Sequence, residues 1–345
     1  MKEILRVTDL SHAFNGTAVL SHLSFSLLPG ERLAILGPSG SGKTTLLRLL
    51  AGLEAPQHGE IAILEQAASR AGEVLIAPAW RQVAMVFQGL ALFPQLNALE
   101  QIAFAAGGRG GTALARQLLE RIGLAHRAAA RLDELSGGER QRIALARALA
   151  QEPKIILMDE PFASLDDVKR AEMRDLLRAL LEARETTLIL VTHSRDDAFD
   201  LARSVLVLEG GRARAFGPLE AVLVRPRYAA VVRTLGLGEL LEAELTGPGV
   251  AETAFGKVST PATATRGRVQ LLVRPGQPVV VAGPDGVEAE VVSIELRSPE
   301  RQEVRRVAVV RARGASLRML VPAQALAVGD HIRVRITGEC ELIED

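Results

Sequence analysis

The chain contains 345 residues, of which 48% are hydrophobic and 24% are charged, a composition typical of a folded soluble protein with about two domains. Because 41 lysines and arginines balance 41 aspartates and glutamates, the sequence disfavours a protein held to nucleic acid by bulk positive charge. One cysteine, Cys340, excludes an internal disulfide and a multi-cysteine zinc site, and the 3% aromatic content argues against extensive base-stacking surfaces.

No apolar run approaches the ~20 residues that span a bilayer. The opening segment, residues 1–6, is too charged for a secretory signal. We therefore expect a cytosolic protein, and any function at a membrane then requires another chain that crosses it.

Up to about residue 235, short apolar runs alternate with segments at helical spacing, which predicts an α/β fold with a sheet wrapped by helices. The predicted buried strands are Arg32–Leu36, Val83–Phe87, Ile155–Met158, Leu188–Val191 and Val205–Leu208. The predicted helices are Lys43–Ala51, Thr112–Ile122, Gly138–Ala150, Val168–Ala183 and Arg195–Ala202. Residues 88–150 show no convincing strand, so we expect a helical insertion there.

The first predicted strand leads into a glycine-rich turn that matches G-x-x-x-x-G-K-[ST], namely Gly37-Pro38-Ser39-Gly40-Ser41-Gly42-Lys43-Thr44. Thr45 continues into the apolar helix, as this phosphate-binding motif requires. Backbone N–H groups of the turn and the helix N-terminus would surround the phosphates. Lys43 is then predicted to reach the β- and γ-phosphates, and the Thr44 hydroxyl to ligate Mg²⁺.

A strand-terminal pair of carboxylates follows the predicted strand Ile155–Met158. Since successive residues of a strand point to opposite faces, Asp159 and Glu160 can serve different roles. We expect Asp159 in the Mg²⁺ shell and Glu160 polarising the water that attacks the γ-phosphate. Pro161 prevents the strand from continuing. A simple solvated strand end is the alternative, and the nearby phosphate motif disfavours it.

The segment Leu135–Gln141 precedes another predicted helix, with Ser136 at the N-cap position and Glu139 three residues later. That spacing predicts a capping box, but a capping box does not require the consecutive Gly137 and Gly138. Free N–H groups at a helix N-terminus also form an anion site. Both interpretations can hold together, and the two glycines favour an anion site.

Leu135–Gln141 resembles the signature motif of ATP-binding-cassette ATPases, and the remaining motifs of that family occur in the same order. Gln88 resembles the glutamine that touches Mg²⁺ and the attacking water. Ser164–Asp166 resembles the D-loop, and His193 the switch histidine near the γ-phosphate. Phe14 resembles the aromatic residue that stacks on adenine. The resemblance covers residues 1 to about 235 and implies a RecA-like phosphate-loop ATPase core with a helical subdomain at about 88–150.

The resemblance implies an ATPase that uses ATP and Mg²⁺ and pairs head to tail with a second copy. Each ATP would then lie between Gly37–Thr45 of one chain and, in trans, Ser136, Gly137 and Gly138 of the other. Glu160, His193 and Gln88 are the expected catalytic residues, and Thr44, Gln88 and Asp159 the expected metal-site residues, with Asp159 acting through water. The cycle would drive a transmembrane permease, docked near Leu92-Phe93-Pro94, from the cytoplasmic side of the inner membrane.

From about residue 239 the sequence becomes valine-rich and partly alternating, in Gly286–Ile294, Val304–Val310 and His331–Ile336. These runs predict a small all-β barrel or sandwich over residues 239–345. Leu271-Leu272-Val273-Arg274-Pro275 and the segment beginning at Gly329 resemble the TOBE-type regulatory domain, an oligonucleotide-fold domain, of importer ATPases for maltose, polyamines, iron(III), sulfate and molybdate. The resemblance implies a domain that caps the dimer.

Three classes of function remain to be weighed. The leading hypothesis is the ATPase subunit of an importer that also uses a periplasmic or extracellular binding protein. Its cargo would be a small ion, iron(III) first, then sulfate or molybdate, or a polyamine. A soluble cassette ATPase of DNA repair or translation is the alternative, although one cassette and one cysteine disfavour it. A non-hydrolysing regulatory module is disfavoured because Glu160 and His193 are both present.

Overall fold

The computed structural model describes residues 2–107, 110–182, 185–261, 267–281, 284–297, 305–321 and 326–344. The chain divides into two compact units, Met1–Val222 and Leu223–Asp345. Within the described residues, no helix combines the length and apolar character needed to cross a membrane.

The strands of the first unit are β1 (Leu5–Phe14), β2 (Thr17–Leu27), β3 (Arg32–Leu36), β4 (His58–Ile63), β5 (Gln66–Arg70), β6 (Glu73–Val74), β7 (Val83–Val86), β8 (Ile155–Asp159), β9 (Thr187–Val191), β10 (Ser204–Glu209) and β11 (Arg212–Pro218). Its helices are α1 (Lys43–Ala51), α2 (Ala98–Ala106), α3 (Gly111–Arg121), α4 (Gly137–Leu149), α5 (Asp167–Glu182) and α6 (Arg195–Leu201), and α7 (Leu219–Val224) reaches the boundary.

Five parallel strands form the centre of the first unit in the order β10-β3-β9-β8-β7, and β11 adds antiparallel to β10. All five strands predicted from apolar runs are present, with ends that agree within one residue. Their alternation supplies two hydrophobic cores. Ile156 and Met158 of β8 pack in the core shared with the helical segment, whereas Ile155 and Leu157 pack in the core that contains α1. A strand that lies between two cores, as β8 does, must therefore carry apolar side chains on both faces.

Several parts of the first unit were not predicted, and β11 and α7 are among them. An antiparallel sheet in the order β2-β1-β4-β5-β6 covers the α1 core. Its sequence signal is weak because bulges interrupt the pairing of β1, with register shifts between Val7 and Leu10 and again between Leu10 and His12. Helix α2 was also missed, although a capping box formed by Asn97 and Glu100 begins it.

Helices α2, α3 and α4 form the helical segment, which packs its apolar faces on the β7–β8 side of the parallel sheet. No strand occurs between the end of β7 and the start of β8 in the described residues, as the sequence predicted. The predicted helices 112–122 and 138–150 correspond to α3 and α4, each shifted by one residue.

The second unit starts within the last turn of α7. It then contains α8 (Ala229–Leu235), β12 (Glu239–Gly247), β13 (Val250–Thr253), β14 (Gly256–Ser259), β15 (Gly267–Val273), β16 (Pro278–Val280), β17 (Val287–Arg297), β18 (Arg305–Ala312), β19 (Ala315–Val321), β20 (His331–Ile336) and β21 (Glu341–Ile343). Its two antiparallel sheets have the orders β14-β13-β12-β15-β21 and β16-β20-β17-β18-β19.

The two sheets of the second unit share one core, to which Leu241 and Leu271 contribute from the first sheet and Val291 and Val310 from the second. This all-β arrangement agrees with the predicted barrel or sandwich. Helix α8 belongs to this unit by its packing, since Ala229 and Val232 lie with Leu272 and Ile343 in a small apolar cluster. The expected boundary near residue 235 therefore falls inside the second unit.

Candidate functional site

The order of the parallel strands brings distant motifs to one edge of the sheet. Strand β9 lies between β3 and β8, and Val191 is paired in register with both Ile35 and Asp159. Since all three strands run in the same direction, the segments that follow them leave at the same carboxyl edge. The phosphate loop (Gly37–Thr44), Glu160 and His193 therefore emerge side by side.

The phosphate loop depends on glycines where its backbone approaches other strands. At Gly37 a Cβ would lie 2.1 Å from the Leu208 carbonyl oxygen, and the residue has a φ of +152°. Gly42, with a φ of +97°, precedes α1 and would place a Cβ 2.5 Å from Leu20 Cδ2. Both positions require glycine because a side chain would be strained and would clash.

Lys43 lies under the loop and is buried. Its Nζ donates hydrogen bonds to the carbonyl oxygens of Gly37 at 2.8 Å and Pro38 at 2.9 Å. Burial lowers the pKa of Lys43, and the negative charges of Glu160 and Asp159 act in the opposite direction. Pro38, Ser39 and Gly40 are exposed at the tip.

Ser41 contributes a second polar group to the loop. Its side chain is 2% exposed, and its Oγ has no hydrogen-bond partner in the structure. A buried hydroxyl without a hydrogen-bond partner destabilises the fold. A ligand atom that forms a hydrogen bond with Ser41 Oγ would remove this cost, which favours ligand binding. Thr45, the next hydroxyl after Thr44, is half-buried on α1.

Asp159 ends β8 on the face that carries Ile155 and Leu157, which is the face toward α1. Its carboxylate lies close enough to the Thr44 side chain for that group to lower its pKa. Burial raises the pKa of Asp159, with Glu160 adding to the shift, while Thr44, Lys43 and His193 oppose it. The two oxygen groups predicted from separate motifs are therefore neighbours in the structure.

Glu160 adopts a φ of +47°, a conformation that non-glycine residues rarely take. Its backbone N–H donates to the Val191 carbonyl at 2.9 Å, which ties it to the end of β9. Its Oε1 lies 2.8 Å from His193 Nε2. Two of the three residues predicted as catalytic are therefore in direct contact, although 32 residues separate them in the chain.

The residues that flank His193 make a closed set of hydrogen bonds with Asp197 of α6. Thr192 Oγ1 donates to Asp197 Oδ2 at 3.0 Å, and Ser194 Oγ accepts from the Asp197 N–H at 3.3 Å. Arg174 of α5 donates to Asp197 Oδ1 at 3.2 Å. Sequence reasoning missed this network, because Asp197 looks like an ordinary acidic residue in the first turn of a helix.

Gln88 lies two residues beyond the end of β7 and is exposed. Because Val86 of β7 is in register with Met158 of β8, Gln88 leaves the sheet at the edge where Asp159 and Glu160 lie. The following turn is tight, since the Leu90 N–H donates to the Phe87 carbonyl at 2.9 Å.

Phe14 ends β1 and is 45% exposed, with its ring edge-to-face against His12 at 4.8 Å. The paired strand β2 carries Leu20, which contacts the phosphate loop at Gly42. An exposed aromatic ring thus lies on the same hairpin that borders the loop. This position is compatible with stacking on a base.

The signature segment (Leu135–Gln141) begins α4, which packs in the helical segment away from the phosphate loop's α1 core. Ser136 Oγ accepts from the Glu139 N–H at 3.3 Å, and Glu139 Oε2 accepts from the Ser136 N–H at 2.8 Å. The predicted capping box is confirmed. The structure describes no hydrogen bond between this segment and the phosphate loop of the same chain.

The glycines of the signature segment are not required by packing within the chain. A Cβ at Gly137 would meet no atom within 4 Å, and one at Gly138 would approach Leu165 no closer than 3.8 Å. Neither has a φ in the left-handed region. Ser164, Leu165 and Asp166 precede α5, where Asp166 Oδ2 pairs with Lys169 Nζ at 2.9 Å.

A cavity of about 370 Å³ lies at this edge, and its lining includes Glu160, His193, Arg170 and Asp197. Within the described residues, no group of three or more His, Cys, Asp or Glu side chains is arranged to hold a metal ion by itself.

Comparisons with known proteins give a consistent result. Residues 20–163 match the family model described as ABC transporter. The chain is 35% identical to "Fe(3+) ions import ATP-binding protein FbpC 3" of Rhodococcus jostii. It is 36% identical to "Fe(3+) ions import ATP-binding protein FbpC" of Pseudomonas fluorescens. In both cases the similarity covers 98% of this chain and 98% of the relative. It is similar to a dimeric, post-hydrolysis structure of the ATP-binding cassette MJ0796 bound to ADP and Pi, with 28% identity, a TM-score of 0.56, and coverage of 62% of this chain and 98% of that one.

Proposed function

This chain belongs to the ABC transporter family, and we propose that it is the ATP-hydrolysing subunit that drives import of iron(III). It is an ATPase that binds ATP with Mg²⁺. The observation that carries the proposal is the convergence of the phosphate loop, Asp159, Glu160 and His193 at one sheet edge. The similarity to iron(III) import proteins over nearly the whole chain supplies the cargo.

In the proposed site, the phosphate loop and the N-terminus of α1 surround the β- and γ-phosphates of ATP. Lys43 exchanges its bonds to the Gly37 and Pro38 carbonyls for bonds to phosphate oxygens, while its ammonium stays in place. The unpartnered Ser41 hydroxyl gains a partner. Phe14 stacks on the adenine.

The donor set fits Mg²⁺, because this ion prefers oxygen ligands and is usually held by one or two protein groups with phosphates and waters. Thr44 and Asp159 are neighbours, and Gln88 leaves the sheet at the same edge. When bound, Mg²⁺ would neutralise charge on the phosphates. We assign Thr44, Gln88 and, through water, Asp159 to this site.

For hydrolysis, we assign Glu160 as the group that accepts the proton of the attacking water. His193 Nε2 lies 2.8 Å from Glu160 Oε1, and we assign its ring as a donor to the γ-phosphate. The left-handed backbone of Glu160 fixes the direction in which the carboxylate leaves β8. Strained residues of this kind persist where the surrounding structure holds them.

We propose a head-to-tail homodimer in which the signature segment of one chain completes the ATP site of the other. The free space at Gly137 and Gly138 supports this, since another molecule can approach the α4 N-terminus closely. The Ser136 hydroxyl is exposed at that terminus. The dimeric cassette MJ0796 is a precedent for pairing within the family.

The transmembrane permease would dock on the helical segment. Phe93 and Phe104 form an exposed ring pair with centroids 5.2 Å apart, and the Arg147 guanidinium lies 5.6 Å from the Phe93 centroid. Leu92 lies beside them, half-buried. With such a partner the chain would lie on the cytoplasmic side of the inner membrane, and an external binding protein would deliver the cargo.

We further propose that the first unit is the cassette and the second a TOBE-like regulatory domain. The two-sheet core of the second unit supports this assignment. Arg274 of this domain lies in the Leu-x-x-Arg-Pro segment and donates hydrogen bonds to both Glu341 carboxylate oxygens and to the carbonyls of Leu223 and Val224. It therefore holds the first residues of the second unit against β15 and β21.

Uptake of radiolabelled iron(III) tests the proposal in cells whose only copy is the wild-type chain or Glu160→Gln. We expect uptake with the wild type and a loss of at least tenfold with the variant at equal protein level, because general-base catalysis contributes about 10²–10⁴-fold. Sulfate, molybdate and polyamine uptake are measured in parallel. Dependence of one of these, but not of iron(III), on Glu160 would reassign the cargo.

A further inference from the structure

We propose that Asp197, which lies outside every motif discussed above, is a positioning residue that holds the His193 loop against Glu160. The inference rests on the proposed roles of Glu160 and His193 in hydrolysis. Asp197 does not touch the reacting groups itself. It acts through the two residues on either side of His193.

The carboxylate and the backbone of Asp197 each hold one neighbour of His193. Thr192 Oγ1 donates to Asp197 Oδ2 at 3.0 Å, and Thr192 Oγ1 in turn accepts a hydrogen bond from the Ser194 N–H at 3.0 Å. The Asp197 N–H donates to Ser194 Oγ at 3.3 Å. His193, between Thr192 and Ser194, is therefore confined at both ends, while its own ring stays 45% exposed.

Burial makes this clamp stiff. Asp197 is 3% exposed and Thr192 4% exposed, so water cannot easily replace either partner, and a buried hydrogen bond that loses its partner is costly. Helix α6 carries Asp197, and the Thr192 N–H donates to the Ile35 carbonyl of β3. The His193 loop is thus fixed between a helix and the sheet.

The charged groups that face Asp197 come from helix α5. Arg174 of α5 bonds its Oδ1 at 3.2 Å and also lies 2.9 Å from Asp200 Oδ2. Arg170 of α5 acts on it electrostatically. Burial raises the pKa of Asp197, and these arginines and Thr192 oppose the shift. The ionised carboxylate is therefore supported by two cations of α5, which begins just after the D-loop.

The clamp explains how His193 can be exposed and yet remain 2.8 Å from Glu160. An exposed side chain on a free loop would sample several orientations, and a misplacement of 1 Å can cost about 10²-fold in rate. Because the backbone is held on both sides of His193, the imidazole ring can move mainly by rotation about its side-chain torsions. We therefore expect loss of the clamp to lower kcat without weakening ATP binding.

The test uses the full chain with Asp197→Asn and Thr192→Val, which removes the hydroxyl at nearly constant shape. Thr192→Ser, which keeps the hydroxyl, is the rescue, and Asp196→Asn is the matched control because Asp196 is adjacent and exposed. We expect Asp197→Asn and Thr192→Val to lower kcat about tenfold or more. The KM for ATP should change less than about twofold, and Ser should restore most of the rate.

A second readout follows the position of His193 directly. The ring resonance of His193, identified by its loss in His193→Ala, is recorded in each folded variant. It should shift or broaden in Asp197→Asn and Thr192→Val but not in Asp196→Asn or Thr192→Ser. An unchanged resonance together with wild-type kcat would overturn the proposal.

The two readouts separate this inference from the proposed function. If Glu160→Gln hydrolyses ATP normally, the assigned mechanism fails, and the His193 resonance still decides whether Asp197 positions the loop. If the Asp197→Asn and Asp196→Asn variants lose the same activity, or if KM rises in proportion as kcat falls, the effect is general destabilisation and the positioning role is rejected.

Discussion

The buried Arg81 offers the sharpest quantitative prediction, because it stabilises the framework on which the phosphate loop is built. The side chain is 1% exposed. Among the residues that the structure describes, its guanidinium donates only to oxygen atoms without formal charge, which are the carbonyls of Leu49, Leu50, Ala68 and Ile76 and the Ser69 hydroxyl. Two of these carbonyls belong to the C-terminal end of α1, where a cation is favourable.

Replacing Arg81 by Met removes these donors while keeping an apolar chain in the space. The carbonyls of Leu49 and Ala68 keep backbone donors, whereas those of Leu50 and Ile76 lose the donors described for them. Two orphaned buried acceptors at about 1–3 kcal/mol each predict a loss of about 4 kcal/mol of unfolding free energy. Burial disfavours the charged guanidinium and lowers the pKa of Arg81 to about 10. This cost is removed in the Met variant, so it limits the loss of unfolding free energy.

Urea unfolding of wild type, Arg81→Met and Arg81→Lys measures this loss. Lysine can keep part of the hydrogen bonding, so we expect an intermediate stability for Arg81→Lys. Arg116→Met is the control, since Arg116 is exposed on α3, and it should change stability by less than about 0.5 kcal/mol. A loss below about 1 kcal/mol for Arg81→Met would refute the reasoning that this guanidinium holds α1 in place.

The other predictions concern the ATP cycle. Glu160→Gln should keep ATP affinity but lose about 10²-fold or more in turnover, and trap an ATP-bound dimer on gel filtration; near-normal hydrolysis contradicts the role of Glu160. Lys43→Ala should weaken ATP binding at least tenfold in a titration, because it removes the buried ammonium of the phosphate loop. Ser136→Arg should leave ATP binding by the monomer intact and abolish ATP-driven dimerisation and hydrolysis together, whereas hydrolysis without dimers would exclude a shared site. A chain ended at Val222 should bind ATP with unchanged affinity, and loss of binding by such a folded chain would assign part of the site to the second unit.

The elements with the strongest local patterns were predictable from sequence. The five parallel strands are apolar on both faces, and the glycine-rich turn before α1 is contiguous, so neither depends on distant partners to be recognised. The capping box at Ser136 is likewise local. The antiparallel sheet around β1 was not predictable in this way, because its bulges break the two-residue alternation.

The sequence by itself determined the candidate residues for the chemistry, since the phosphate loop and the acidic strand end are read from adjacent positions. Only the tertiary structure decided which of them meet. The contact of Glu160 with His193 and the proximity of Thr44 to Asp159 follow from β9 lying between β3 and β8, an order that the chain sequence does not state. The roles of Asp197 and Arg81 could not be predicted from the sequence for the same reason. Each residue acts through backbone and side-chain partners that only folding brings within hydrogen-bond distance.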